Sequence, residues 1–159
     1  MQHIGERRQP SIINLIIIVV LAVAMVVYFI IAFATGDWLW FSNNFRETPN
    51  AIVIHCYGET TNLDPASFHY SKFKQIMNES MSGRKRWDSL TMSEATYQDY
   101  QTNPQMIVLE FFYPEPIRVH SSYKFYSSVD NLVIPIDGRH AQTNAVFGQA
   151  NGIPTGGSL

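Results

Sequence analysis

The sequence predicts an α+β protein in which one N-terminal transmembrane helix precedes a small extracytoplasmic domain with a mostly antiparallel sheet and one or two helices. The first observation is an uncharged apolar run of 23 residues, 12–34, in a chain of 159 residues. The second is the order of patterns after this run: a strand, then helices, then several strands. The resulting boundaries are a cytoplasmic N-terminus at 1–11, the transmembrane helix at 12–34, a juxtamembrane aromatic anchor and linker at 35–50, the extracytoplasmic α+β domain at 51–151 and a flexible or partner-bound tail at 152–159.

The length of the apolar run favours a membrane span over two alternatives. As a helix, its 23 residues measure about 34 Å, which crosses a hydrocarbon core of about 30 Å with a modest tilt. A helix buried in a protein core rarely lacks a polar face over six turns. A cleaved signal peptide matches the Ala-Phe-Ala pattern at 32–34, but its apolar region is only about 7–15 residues long. An uncleaved signal-anchor is the preferred interpretation.

Charges beside the run predict its orientation. Arg7 and Arg8 precede it, whereas Asp37 follows it and the next basic residue is Arg46. Because basic residues accumulate on the cytoplasmic side, we expect the N-terminus in the cytoplasm. The protein is then a single-pass protein of the cell membrane with its C-terminal domain outside the cytoplasm.

Aromatic side chains mark the point where the chain leaves the membrane. Trp38, Trp40 and Phe41 follow the run closely, and amphipathic rings favour the headgroup layer. Together with the two arginines, they are expected to anchor the protein on membrane lipids. Asn14 lies near the cytoplasmic end of the run, where it is expected to bond a neighbouring helix or a headgroup. The run contains no charged or histidine side chain, which argues against ion conduction and pigment or haem binding.

The first half of the outer domain predicts a strand and two helices. Residues 51–57 are a short β-branched run with apolar side chains on both faces, which is typical of an interior strand. Residues 64–81 carry aromatic and methionine side chains at three- and four-residue spacing, with Asp64 as the cap and Gly83 as the stop. A capping box and a following Asn-Pro pair predict a second helix at 91–101.

The second half is rich in strand patterns. Residues 106–113 predict the strongest strand, which the Pro-Glu-Pro sequence at 114–116 is expected to break. Shorter strands are predicted at 117–120 and 124–127, and an Asp-Gly hairpin between 132–136 and 145–147. Pro135 belongs at an edge or a bulge. The order of elements favours helices on one face of the sheet.

Charge excludes one class of partner. After Gly36 the chain has nine Lys and Arg against twelve Asp and Glu, which gives a net charge of about −3 with the histidines neutral. A mildly acidic domain is a poor binder of polyanions, so no nucleic-acid partner is expected.

No pattern of residues predicts catalysis. The five histidines lack metal-ligand spacing, and no GxSxG, phosphate-binding or dinucleotide-binding motif is present. His55 and Cys56 are neighbours on a predicted strand, so their side chains point to opposite faces and cannot act as base and nucleophile together. We expect Cys56 to be buried and unreactive. The sequence therefore predicts no enzyme, no cofactor and no metal.

Three adjacent cations with an indole form the candidate interaction segment, which consists of Arg84, Lys85, Arg86 and Trp87. Such a segment can contact acidic headgroups or a partner protein. A solvated loop between the two predicted helices is the alternative.

The sequence LEFFYPEPI, which spans 109–117, and the segment 130–135 resemble the extracytoplasmic portions of the YycH and YycI regulators of bacterial histidine kinases. Those proteins span the membrane once with the N-terminus inside. The resemblance implies an outer α+β domain that acts by contact rather than by catalysis. It assigns no individual residue a role.

Two functions remain after this reading. The first is a non-catalytic, single-pass accessory subunit that docks on a larger membrane protein complex through its helix and its outer domain. The second is a membrane-anchored regulator or sensor that binds a peptide, a small ligand or a histidine-kinase sensor domain. An anchored enzyme ranks third and would require a deep pocket with convergent polar groups.

Overall fold

The computed structural model describes residues 11–83 and 85–159. Arg7, Arg8 and Arg84, which the sequence predicts as anchoring or interacting residues, lie outside the described residues. The helices are α1 (Ile12–Thr35), α2 (Phe68–Met81) and α3 (Glu94–Thr102). The strands are β1 (Ala51–Cys56), β2 (Glu59–Asn62), β3 (Ile107–Ile117), β4 (Val129–Asp137), β5 (Phe147–Ala150) and β6 (Ile153–Ser158).

One antiparallel sheet organises the C-terminal part of the chain. Its strand order is β2-β1-β3-β4-β5-β6, and every neighbouring pair is antiparallel. The α+β class and the antiparallel sheet are confirmed. We call residues 45–159 the sheet domain, because Phe45 already packs in its core.

The apolar run forms a single helix. α1 has 24 residues, and a window of 18 of them has a mean hydropathy of 3.3 with 6% buried. It ends at Gly36, whose φ of 67° is a left-handed conformation that glycine adopts without strain. By length and composition, α1 is able to cross a membrane.

The two remaining helices cover opposite faces of the sheet. Leu109 and Phe111 of β3 pack with α2 in one core, whereas Val108 packs with α3 in a second core. The expectation that both helices lie on one face is wrong. Successive side chains of a strand point to opposite faces of the sheet. A strand with apolar side chains on both faces is therefore buried by a helix on each face.

Both short helices begin with a serine cap. Ser67 accepts the backbone N–H of Tyr70 at 3.1 Å, so the cap of α2 lies three residues after the predicted one, Asp64. Asp64 instead accepts the N–H of Ala66 in a preceding turn. The Oγ of Ser93 accepts the N–H of Thr96 and caps α3, so the helix begins at Glu94 and not at 91 as predicted, and Thr91 is not the cap.

The Pro-Glu-Pro sequence does not end β3, in contrast to the prediction. The pairing with β1 stops at Phe112, and the pairing with β4 shifts register between Phe112 and Ile117. Pro114 and Pro116 therefore lie in an irregular stretch of β3, where regular hydrogen bonding to β1 and β4 is interrupted. The missing N–H groups of the two prolines break no regular pairing there.

The segment after β3 is not stranded as predicted. Ile117 is the last residue of β3, and Lys124–Tyr126 is a 3-10 turn. The buried hydroxyl of Tyr126 donates to the carbonyls of Val146 at 2.7 Å and Gly157 at 3.0 Å. With these bonds the Tyr126 ring is fully buried in the core.

The predicted Asp-Gly hairpin is a longer connection. β5 begins only at Phe147, and a 3-10 turn at Ala141–Thr143 lies between it and β4. Pro135 pairs with Val108 beside a register shift, which confirms the bulge and excludes the edge.

Two tight hairpins close the ends of the sheet. Asn151 and Gly152 have φ values of 53° and 75° and connect β5 to β6, and Tyr57 and Gly58 likewise connect β1 to β2. The expectation of a flexible or partner-bound tail at 152–159 is therefore wrong. The tail is the edge strand β6, because its backbone pairs with β5.

Candidate functional site

The predicted aromatic anchors gather around the end of α1. The Tyr28 hydroxyl donates to the carbonyl of Trp38 at 2.9 Å, and its ring centroid lies 6.2 Å from that of Phe41. Trp38 and Phe41 are exposed, and Trp40 is half-buried. Asn14 is exposed on the first turn of α1, at the opposite end of the helix.

A side-chain contact between Asp37 and His120 joins the end of α1 to the sheet domain. The Nδ1 of His120 lies 3.0 Å from both carboxylate oxygens of Asp37, which is 4% exposed. The Arg118 guanidinium donates to the carbonyl of Gly36. The Asp37 carboxylate also accepts the N–H of Leu39 at 2.9 Å. We call these contacts the helix–domain junction.

The segment that follows the junction is also fixed. Phe45 is inserted into the core at 3% exposure, and its N–H and carbonyl both bond the Ser82 hydroxyl at 3.1 Å. Asn50 donates to the carbonyl of Phe112 at 2.8 Å. Residues 36–50 contain no helix or strand, but Phe45 and Asn50 bond the sheet domain, which their sequence does not indicate.

A large groove lies between α2 and the sheet. Its volume is about 1290 Å³. Leu109, Phe111 and Ile134 contribute from the sheet, and Ile76 and Met77 contribute from α2. We call this cavity the α2 groove.

The candidate interaction segment borders this groove. Lys85, Arg86 and Trp87 all line it. Lys85 is partly enclosed, and burial lowers the pKa of its ammonium group. Neither cation lies within ion-pair distance of a carboxylate in the described part of the chain. Three of the four predicted residues are thereby placed at one cavity.

Backbone bonds and stacking hold this segment in place. Asp88 and Ser158 exchange backbone hydrogen bonds of 2.9 and 3.1 Å, so the segment pairs with the end of β6. The Trp87 ring stacks on Tyr123 and Phe125 at centroid distances of 6.0 and 6.4 Å. The segment is consequently docked on the sheet, and the alternative of a free solvated loop is wrong for Trp87.

A buried polar network occupies the α3 face of the sheet, and sequence reasoning missed it. Glu110 is fully buried, and its Oε1 accepts from Gln101 at 3.3 Å and lies 3.1 Å from His55 Nε2. Its Oε2 accepts from the Tyr97 hydroxyl at 3.0 Å and from Asn131 at 3.2 Å. Burial, followed by the nearby Glu110 carboxyl group, raises the pKa of Tyr97.

The network extends toward a smaller cavity of about 510 Å³. Asn131 donates to Gln149 at 2.8 Å, and both amides line this cavity together with Tyr97. The Oδ1 of Asn131 and the Nε2 of Gln149 have no partner among the described residues and almost no accessible surface. The network thus reaches the wall of this cavity, where each of these two amides keeps one buried polar atom that is not hydrogen-bonded.

The prediction for the single cysteine is wrong. Cys56 is exposed, whereas its neighbour His55 is buried and bonds Thr60 and Glu110. Cys56 is the last residue of β1 and pairs only with Glu59 and Ile107 at the strand ends. The apolar pattern indicates a strand, but it does not indicate that Cys56 lies at its open end.

Residues of the described ranges do not assemble a metal centre. No three His, Cys, Asp or Glu side chains among them lie close enough to hold an ion. The histidines are instead distributed: His55 is in the network, His120 is in the junction, and His140 contacts the Tyr100 hydroxyl.

Comparisons with protein-family models, curated proteins and solved structures find no match. The resemblance to YycH and YycI therefore stays a hypothesis.

Proposed function

We propose that the protein is a non-catalytic, single-pass membrane accessory subunit that docks on a larger membrane protein complex. The helix–domain junction carries this proposal. A subunit that stabilises a complex must hold its outer domain at a fixed angle to its helix. A domain that only binds a ligand can be connected to its helix by a flexible linker.

Several contacts make the junction stiff. Asp37 is buried and meets His120 at 3.0 Å, and Phe45 anchors the following segment in the core. Two anchor points on one short segment restrict both swing and rotation of the domain. This supports a role in which the position of the domain matters.

The helix itself supports lateral docking. Its apolar side chains are exposed along most of its length, and small residues such as Ala22 and Ala24 allow a neighbouring helix to approach. With Arg7 and Arg8 before α1, the N-terminus is proposed to lie in the cytoplasm and the sheet domain outside. Trp38 and Phe41 would then lie in the outer headgroup layer and contact lipid.

The test is extraction of the full-length tagged protein in mild detergent, followed by native electrophoresis and mass spectrometry of co-migrating proteins. We expect a species larger than the 18.1 kDa monomer. The variant His120→Ala should recover several-fold less of it, because the junction is lost. His69→Ala, which removes an exposed histidine of α2, is the matched control and should change nothing. Migration only as a monomer would remove the proposal.

The α2 groove favours a second candidate function, a membrane-anchored sensor or regulator. Its volume and its cationic border suit a ligand. Deletion of the coding sequence distinguishes the two functions. Loss of a sensor should change a set of transcripts, whereas loss of an accessory subunit should lower the yield of its complex.

A further inference from the structure

The α2 groove combines an apolar interior with cations at its border. Its volume of about 1290 Å³ exceeds the roughly 300–1,000 Å³ of typical small-molecule pockets. Ile76 and Ile136 line it and are about half exposed, and Ile134 is partly buried, whereas Leu109 and Phe111 are buried. A methylene chain that covers the exposed isoleucines removes apolar surface from water, which is favourable.

The charge at the border is positive. Lys85 and Arg86 line the groove, and Asp88 is the acidic side chain among its lining residues. The Asp88 carboxylate already accepts the backbone N–H of Leu90 at 3.0 Å. Burial lowers the pKa of the Lys85 ammonium, so an anion beside it would compensate for lost hydration.

The interior favours a hydrocarbon chain over a peptide. A peptide brings an N–H and a carbonyl with every residue, and each costs free energy if it is buried without a partner. The floor strands β3 and β4 already pair with each other and with β1 and β5. A methylene chain has no such requirement.

We propose that the α2 groove binds an acyl chain with an anionic head, with the chain against Ile76, Ile134 and Ile136 and the head at Lys85 and Arg86. The chain can come from a free long-chain acid or from an anionic phospholipid. This binding is independent of whether the protein is an accessory subunit or a sensor.

Photo-crosslinking of the full-length protein in phosphatidylcholine nanodiscs tests the proposal. The two probes are palmitic acid and phosphatidylglycerol, each with a diazirine in its acyl chain, and mass spectrometry maps the labelled peptides. We expect label on groove residues of α2, β3 and β4 in addition to α1. Label from the acid, the phospholipid or both supports the proposal and identifies the source. Label confined to α1 overturns it.

Two matched pairs of variants separate groove binding from general contact with the bilayer. Ile76→Trp fills the groove from an exposed position and should reduce groove labelling about tenfold, whereas Ile153→Trp alters an exposed isoleucine outside it and should have no effect. Lys85→Glu should reduce labelling about three- to tenfold, and Lys72→Glu, on the exposed surface of α2, should not.

A neutral probe tests the role of the head. Hexadecanol with the same diazirine should label the groove about three- to tenfold less than the acid. Equal labelling by the alcohol would overturn the assignment of Lys85 and Arg86. Circular dichroism of each variant confirms that the fold is retained, and Ile76 and Lys85 are open enough to tolerate replacement.

Discussion

Glu110 is the polar centre of one face of the sheet, and its carboxyl group is shared by four side chains. His55, Tyr97, Gln101 and Asn131 all lie within 3.3 Å of it. Removal of this buried carboxyl group would leave several polar side chains without a hydrogen-bond partner. That cost in free energy exceeds the contribution of any one of the hydrogen bonds.

Replacement of Glu110 should therefore destabilise the protein strongly. We expect Glu110→Ala to lower the free energy of unfolding by about 3 kcal/mol or more, because the buried donors lose their acceptor. Glu110→Gln keeps one acceptor oxygen and should cost less. Glu115→Ala, an exposed position on the same strand, should change stability by less than about 0.5 kcal/mol. Denaturant melts in detergent measure all three, and a neutral Glu110→Ala would contradict the network.

Cys56 offers a test with a chemical probe. Since its side chain is exposed at the end of β1, a membrane-impermeant maleimide should label it rapidly without denaturant. Cys56→Ser supplies the background. On intact cells, the same labelling checks whether the sheet domain faces outside. Slow labelling of the purified folded protein would mean that the end of β1 is covered.

At the scale of elements, the edge strand β6 and the segment before α3 depend on each other. Gly157 has a φ of 131°, and a Cβ built on it would lie 2.3 Å from the Trp87 Nε1. The strand and the indole approach closely because the side chain at this position is a hydrogen atom.

Gly157→Ala should displace Trp87 and loosen the border of the α2 groove. We expect a loss of about 2 kcal/mol or more, since both the backbone conformation and the contact become unfavourable. Gly152→Ala is the control, because Gly152 has a φ of 75° with open space around it and should cost only about 1 kcal/mol. Thermal melts and Trp fluorescence measure the difference. Equal effects would show that the close approach is unimportant.

Periodicity predicted most of the elements, and the exceptions have physical causes. α1, β1 and the core of β3 have strong apolar patterns, so their positions follow from sequence. β2 consists of Glu59–Asn62 and is exposed throughout, so it has no apolar signal. β6 was also missed, although the Asn-Gly pair before it is a strong hairpin signal.

The candidate site was only partly predictable. Lys85, Arg86 and Trp87 stand out by composition, but the groove beside them requires the packing of α2 on β3. His55 and Glu110 are 55 residues apart, and only the register of β1 against β3 brings them together. No local pattern carries such a contact.

At the scale of the whole molecule, the helix–domain junction determines how α1 and the sheet domain are oriented. Asp37→Asn should weaken the contact with His120, while the sheet and its cores stay intact. Spin labels at Val20 and Lys124, introduced with Cys56→Ser because Cys56 is exposed, should then give a broader distance distribution, with a nearly unchanged melting temperature of the domain. Glu59→Gln, far along the chain on β2, is the control. An unchanged distribution would mean that the junction does not restrict the domain.

A stiff junction also fixes the rotation of the sheet domain around the axis of α1. Each residue of an α-helix turns about 100°, so one residue inserted into or deleted from the middle of α1 would rotate the sheet domain by about 100° around the helix axis. The domain would keep its fold and its distance from the membrane would change by only about 1.5 Å. It would nevertheless present a different side to any neighbour that holds the N-terminal half of α1. The number of residues in α1 therefore determines which side of the sheet domain faces a given neighbour.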